Sequence, residues 1–155
     1  MIRKAENRDI SGIMALLLQV NLVHHRGRPD LFKGPATKYG PQELQKILAN
    51  EKTPVFVYTD ENDRVLAHCF CILKQFENDP LMTDVKTLYI DDLCVDENHR
   101  GQRIGEKTFR YVKNFARETG CYNITLNVWS LNPGAMKFYE KCGLVPQKIG
   151  METIL

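Results

Sequence analysis

The sequence predicts a single-domain α/β fold, with a mixed, mainly antiparallel sheet carrying helices on both faces in the order β-α-α-β-β-β-α-β-α-β-β. Three observations lead there. The 155 residues, 43% hydrophobic and 26% charged, have the size and balance of one core and leave no room for a second domain. The middle of the chain holds paired strand-like runs joined by a turn. After them comes one strand-helix-strand unit, which brings a parallel neighbour into an otherwise antiparallel sheet.

The elements follow in order. Ile2 to Lys4 reads as a short strand. From Asp9, residues at Ile10, Ile13, Met14, Leu17 and Asn21-Leu22 recur by threes and fours, so a helix is predicted to end near His25. Gly27, Pro29, Gly34, Pro35, Gly40 and Pro41 cannot continue it, and this long loop has the character of a binding lid. Pro41 suits the first turn of a second helix that buries Leu44, Ile47 and Leu48. Val55 to Thr59 and Val65 to Phe76 read as a hairpin around Asp60-Glu61-Asn62-Asp63. A strand from Thr87 to Val95 then feeds a helix from Ile104 to about Thr119, stopped by Gly120. Asn123 to Val128 alternates like a strand, Pro133 opens a last helix, and Gly143 closes it. Two short strands around Gly150 are expected between Leu144 and Leu155. No internal repeat or low-complexity tract interrupts the succession.

Several function classes lose ground on composition. A formal net charge of +2 is too small to argue for nucleic acid or an anionic membrane as partner. No run approaches the roughly 18 apolar residues of a membrane span, and the N-terminus does not read as a secretory signal, so a cytoplasmic protein is expected. Cys69, Cys71, Cys94, Cys121 and Cys142 form neither a CxxC pair nor a secreted framework and read as reduced thiols. The Asn-Ile-Thr pattern at Asn123 then has no glycosylation role. Cys69 and Cys71 share a strand face with His68 between them, but no second ligand pair exists, and no metal is expected. His24 and His25 are adjacent on a helix, a poor chelating geometry that suits a cationic helix end better. Arg103, Lys107, Arg110, Asn114 and Arg117 make a basic stripe opposite Ile104, Thr108, Tyr111 and Phe115. That stripe is the one feature favouring a nucleic-acid reading, and no recognition motif or stacking platform accompanies it.

The segment from Leu88 to Phe115 is the most informative. A loop feeding a helix N-terminus presents unpaired N–H groups and the positive end of the helix dipole, which together attract anions. Here the loop reads Arg100-Gly101-Gln102-Arg103-Ile104-Gly105, which is neither a P-loop nor GxGxxG. The stretch Tyr-Ile-Asp-Asp-Leu-Cys-Val-Asp-Glu-Asn-His-Arg-Gly-Gln-Arg-Ile-Gly resembles motif A of the GNAT superfamily of acyl-CoA N-acyltransferases, Gln/Arg-x-x-Gly-x-Gly/Ala. Arg103 stands where the middle glycine is usual. Asn132-Pro133-Gly134-Ala135-Met136-Lys137-Phe138-Tyr139-Glu140-Lys141-Cys142-Gly143 resembles the superfamily's motif B. The signature covers residues 88 to 143, and the arrangement of elements is similar over nearly the whole chain.

The resemblance implies acetyl-CoA as cosubstrate. The strand carrying Leu93, Cys94 and Val95 would splay from the strand at Asn123 to Val128, and the pantetheine arm would lie in the cleft against backbone groups of Leu93 and Val95. The pyrophosphate would rest on Arg100, Gly101, Gln102, Arg103, Ile104, Gly105 and Glu106, with Asn132 and Ala135 touching the arm from the other side. An alkyl ammonium with pKa near 10.4 has no lone pair, and freeing one at neutral pH costs about 4 to 5 kcal/mol. A carboxylate acting through water is the usual remedy. In spermidine/spermine-type acetyltransferases an acidic residue occupies the position of Asp91, which makes Asp91 the base or the amine anchor. Strand alternation puts Asp91 and Leu93 on one face and Asp92 on the other, where Asp92 reads first as structural. Tyr139 is the residue the resemblance assigns to protonate the leaving thiolate, after direct attack in a ternary complex. Cys94 lacks a His/Asp constellation and reads as core rather than nucleophile.

The acceptor is expected to be a small cationic amine. Asp91, Asp92 and Asp30 supply negative charge near the inferred cleft, and the loop Arg26 to Lys33, with Asp30 and Phe32, resembles the acceptor-side loops of small-molecule members. Of the pair His24 and His25, it is His25 that is expected to reach the acceptor pocket. A protein or peptide N-terminus and a noncatalytic acetyl-CoA-binding module are the alternatives. No nucleic-acid or membrane partner is expected, and a homodimer is compatible with the sequence.

Overall fold

A computed structural model describes residues 1–155. One five-stranded sheet, in the order β1-β2-β3-β4-β5, is built from β1 (Ile2–Lys4), β2 (Val55–Thr59), β3 (Val65–Gln75), β4 (Lys86–Val95) and β5 (Asn123–Leu126). The first four pair antiparallel and β5 joins β4 in parallel, reached through α3 (Ile104–Glu118). Against one face pack α1 (Ile10–Gly27) and α2 (Pro41–Ala49), where Ile13, Leu16, Leu17 and Leu44 meet Val55, Val57, Phe70 and Cys94. Against the other face, Phe109, Val112 and Ala116 of α3 cover Phe56, Cys69, Cys71, Leu88 and Ile90. Phe138 and Cys142, from α4 (Pro133–Lys141) and its end, join that second core. The mixed α/β architecture is thus the one the element order predicts.

Local chemistry explains the ends. A single 3-10 turn, Asn7–Asp9, leads into α1, and buried Asp9 receives Arg3 at 2.7 Å and the Glu6 N–H at 2.7 Å. Pro41 occupies the first turn of α2, and Asn132 caps α4 by accepting the Ala135 N–H at 3.1 Å. On α3 the basic stripe is exposed while Ile104, Thr108, Phe109, Val112 and Ala116 turn inward. Tyr111, expected on the inner face, lies at its margin with its ring edge-on to Phe56.

Two departures shape the site. Where Ile90 pairs with Cys71 and Asp92 with Phe70, Asp91 is left between them as a bulge. Strict alternation breaks there. Asp91 and Asp92 both turn toward the α1 face, where they meet Tyr39 and His68, while Leu93 packs toward α3. The expected sharing of a face by Asp91 and Leu93 is therefore corrected. Pairing of β4 with β5 ends at Ile90 and Leu126, so β5 stops two residues before the expected Val128 and the strands part.

The two short strands expected between Leu144 and Leu155 do not form. Leu144 reaches the second core, but Val145, Ile149, Met151 and Ile154 are exposed, and no backbone hydrogen bond involves residues 145–155. A strand needs a neighbour to satisfy its N–H and C=O groups, and residues 145–155 pair with neither edge of the sheet.

Candidate active site

The parting of β4 and β5 opens a cavity of about 550 Å³ that collects residues from α1, the loop 28–40, β4, the end of β5 and α4. The bulge forms its acidic wall. Asp91, only 13% exposed, accepts Lys38 Nζ on both oxygens at 2.8 Å and the Tyr39 hydroxyl at 2.9 Å. Burial, and then the bond to Asp91, push the Tyr39 phenol well above its ordinary range, so it stays a donor. Asp92 pairs with Nε2 of His68 at 2.5 Å, and the fully buried imidazole leaves Nδ1 without a partner.

The opposite wall is the α1–α2 loop, and α1 holds it in place. Asn21 donates to the Lys33 carbonyl at 2.9 Å and accepts the Ala36 N–H at 2.9 Å. His25 Nδ1 donates to the Phe32 carbonyl at 2.7 Å. The backbone of Gly34 lies so close over the His25 ring that a Cβ would come within 2.6 Å of it. His25 is thus a clasp beneath the loop and does not line the cavity. Its neighbour His24 does, against Phe32 at 4.9 Å between ring centroids, and Phe32 in turn meets Trp129 edge-on at 5.2 Å. Burial lowers the His24 pKa, so its ring is neutral. Asp30 points away, exposed and bonded to Arg28, whose guanidinium holds the carboxyl below its usual range.

Tyr139 enters from α4, with its phenol pushed far upward by burial, so it carries its proton at neutral pH. Leu93, Asn132 and Ala135 line the same cavity. Cys94 does not; its sulfur faces the Leu16 carbonyl at 3.6 Å and burial pushes the thiol up to about 12, which makes it a core residue.

At the start of α3 the N–H groups of Gly101, Gln102, Arg103, Ile104, Gly105 and Glu106 donate to nothing in the chain, and the side chains of Arg100 and Arg103 make no ion pair. Six open donors at a dipole's positive end suit a pyrophosphate. Arg103 takes the left-handed conformation (φ 58°, ψ 20°) that the usual glycine would adopt freely. Gly105 has a different duty. A Cβ there would meet the Phe138 ring at 3.2 Å, so this glycine lets α3 approach α4. Glu106 pairs with Lys141 at 2.5 Å.

Sequence reasoning missed Lys38, Tyr39, His68 and Trp129 as site residues, and of the adjacent pair His24 and His25 it chose His25 where His24 lines the cavity. His68 meets the acidic strand through the pairing of β3 with β4, a register that joins residues distant in sequence. Cys69 and Cys71 lie with their sulfurs 3.8 Å apart inside the second core. No helix is long and apolar enough to cross a membrane.

Comparison with known proteins places this geometry. The model of the acetyltransferase (GNAT) family matches residues 23–144. A rice protein (Oryza sativa subsp. japonica) named "Probable glucosamine 6-phosphate N-acetyltransferase 2" is 32% identical over 155 aligned positions, covering 97% of this chain and 84% of the relative. Glucosamine 6-phosphate N-acetyltransferase 1 of rice is 35% identical over 63 residues, 41% of this chain and 36% of that relative, so that match spans only about a third of the enzyme's length. The crystal structure of a mutant Bacillus halodurans protein superimposes with a TM-score of 0.95 at 34% identity, covering 100% of this chain and 99% of the other.

Proposed function

The chain belongs to the acetyltransferase (GNAT) family, and from that premise we propose that it transfers the acetyl group of acetyl-CoA to the primary amine of a small cationic molecule by direct attack in a ternary complex. One observation carries the reading. Two carboxylates, Asp91 and Asp92, and a protonated phenol, Tyr139, converge on one cavity whose strand-edge wall leads toward the open N–H cradle at Gly101 to Glu106.

Each residue then has a task. The cradle, with Arg100 and Arg103, holds the pyrophosphate of acetyl-CoA. The edge of β4 at Leu93 to Val95, free of β5, offers backbone groups to the pantetheine amides, with Asn132 and Ala135 opposite. Asp91 is the base or the amine anchor. Asp92, which now shares that cavity, adds negative charge for a cationic acceptor, while Phe32 and Trp129 supply an apolar wall for its carbon chain. Tyr139 gives its proton to the sulfur as the C–S bond breaks, a task that needs a phenol still protonated at neutral pH. His25 and Asp30 drop out of the acceptor contacts, and His24 takes that place.

The test is thiol release from acetyl-CoA across a panel of polyamines, amino acids with side-chain amines, peptides and hexosamine phosphates, the last because of the rice relatives' names. A cationic small amine should head the ranking. Tight acetyl-CoA binding without release for any amine would instead favour a noncatalytic module, and preference for peptides would move the acceptor class.

A further inference from the structure

The place proposed for the acceptor amine is already taken by an amine of the chain itself. Lys38 Nζ lies 2.8 Å from each oxygen of Asp91, inside the cavity that also contains Tyr139 and Leu93. It reaches there from the loop between α1 and α2, adjacent to Tyr39, which fixes Asp91 from the other side. The Lys38 side chain is 52% exposed. An ion pair with so exposed a partner is weak, so the ammonium can leave the carboxylate and return within the cavity. Lys33, on the same loop and lining the same cavity, makes no such pair.

We propose that Lys38 is an internal acceptor, acetylated on Nζ by this chain acting on itself, an inference that rests on the acetyl-transfer reading above. The ammonium gives one proton to Asp91, and the freed lone pair attacks the thioester carbonyl of acetyl-CoA. An N–C bond forms, the C–S bond breaks, and the nitrogen loses its second proton. One proton ends on the sulfur of coenzyme A through Tyr139 and the other passes to solvent. No oxidant or further reactant is needed. The amide that results carries no charge, so Asp91 keeps only the Tyr39 hydroxyl and becomes free to hold an external ammonium. Self-acetylation therefore exposes the acidic wall to its cationic acceptor.

The purified chain is incubated with acetyl-CoA, and intact mass with peptide mapping follows the label. One acetyl group is expected on Lys38, with a first-order rate independent of protein concentration. Lys38→Arg should carry none, and Tyr139→Phe should slow labelling at least about tenfold while folding normally. The pre-acetylated protein and Lys38→Gln should both show a KM for a cationic amine roughly two- to fivefold below that of unlabelled protein, the size set by loss of one ion pair whose lysine is half in solvent. Equal labelling of Lys33, a rate proportional to protein concentration, or indifference to Tyr139→Phe would each overturn the proposal. So would absence of label in protein that releases thiol with an external amine, an outcome that leaves the acetyl-transfer reading standing. Failure to bind acetyl-CoA at all would remove that reading and the proposal with it.

Discussion

At the scale of single residues, the cavity separates groups that share a chemistry. Asp91 is saturated by Lys38 and Tyr39, whereas Asp92 keeps an oxygen free beyond its bond to His68. The Tyr139 hydroxyl makes no hydrogen bond within the chain, and burial keeps it protonated. Tyr139→Phe keeps the ring and its contact with Phe138, so melting temperature and acetyl-CoA affinity should hold while kcat falls about 10²-fold or more. A loss under threefold, with chemistry limiting, would leave Tyr139 as packing alone. His24 predicts a pH effect. Burial sets its folded pKa below the unfolded value near 6.5, so the unfolded chain binds protons first as pH falls. The neutral ring's contribution is then complete above about pH 6.5 and shrinks below it. His24→Gln should flatten the fall in melting temperature between about pH 7 and 5; an unchanged slope would assign that fall elsewhere.

At the scale of elements, the start of α3 does two jobs with two glycines. Gly101 sits at φ +79° with nothing within 4 Å of a built Cβ, and Gly105 abuts Phe138. Substitution at Gly105 therefore disturbs the α3–α4 contact as well as any bound anion. Gly101 separates the two effects. Acetyl-CoA should raise the melting temperature by mass action, since it binds the folded state. Gly101→Ala incurs only left-handed strain of about 1 kcal/mol and should retain the shift, while Gly101→Asp places a carboxylate at the cradle and should lose it. Equal shifts in both variants, by thermal unfolding with and without ligand, would remove the cradle from the cofactor site. The bulge at Asp91 is the other element-scale device, since one unpaired residue turns two consecutive carboxylates to the same side.

At the scale of the whole molecule, two cores on either side of one sheet hold the fold, and the last eleven residues belong to neither. Their named tie to the body is the ion pair of Glu152 with Arg28, both partly or largely in solvent. Ending the chain after Leu144 should therefore cost no more than about 1 kcal/mol, the worth of such a pair, when measured by urea unfolding. A larger loss would mean that the tail packs against something, and a loss that grows on dilution would identify a second copy as the partner.

Much of this was legible in the chain itself. The 3.6-residue spacing in α1 and α3, Pro41 and Pro133 at helix starts, and the two strand-like runs of β2 and β3 around their acidic turn are local, and each placed its element to within a residue or two. The loop-to-helix cradle around Gly101 was legible for the same reason, because neighbours in sequence make it, whereas Tyr139 was singled out only through its resemblance to motif B. Lys38, Tyr39 and His68 were not, since they meet Asp91 and Asp92 across separations of 53, 52 and 24 residues. The facing of Asp91 was misread because a bulge depends on how β3 and β4 settle their register, and register is a property of two strands together. The tail illustrates the converse. Its local pattern suits a strand, but a strand exists only beside a partner, and in the folded chain residues 145–155 lie beside no strand that bonds to them.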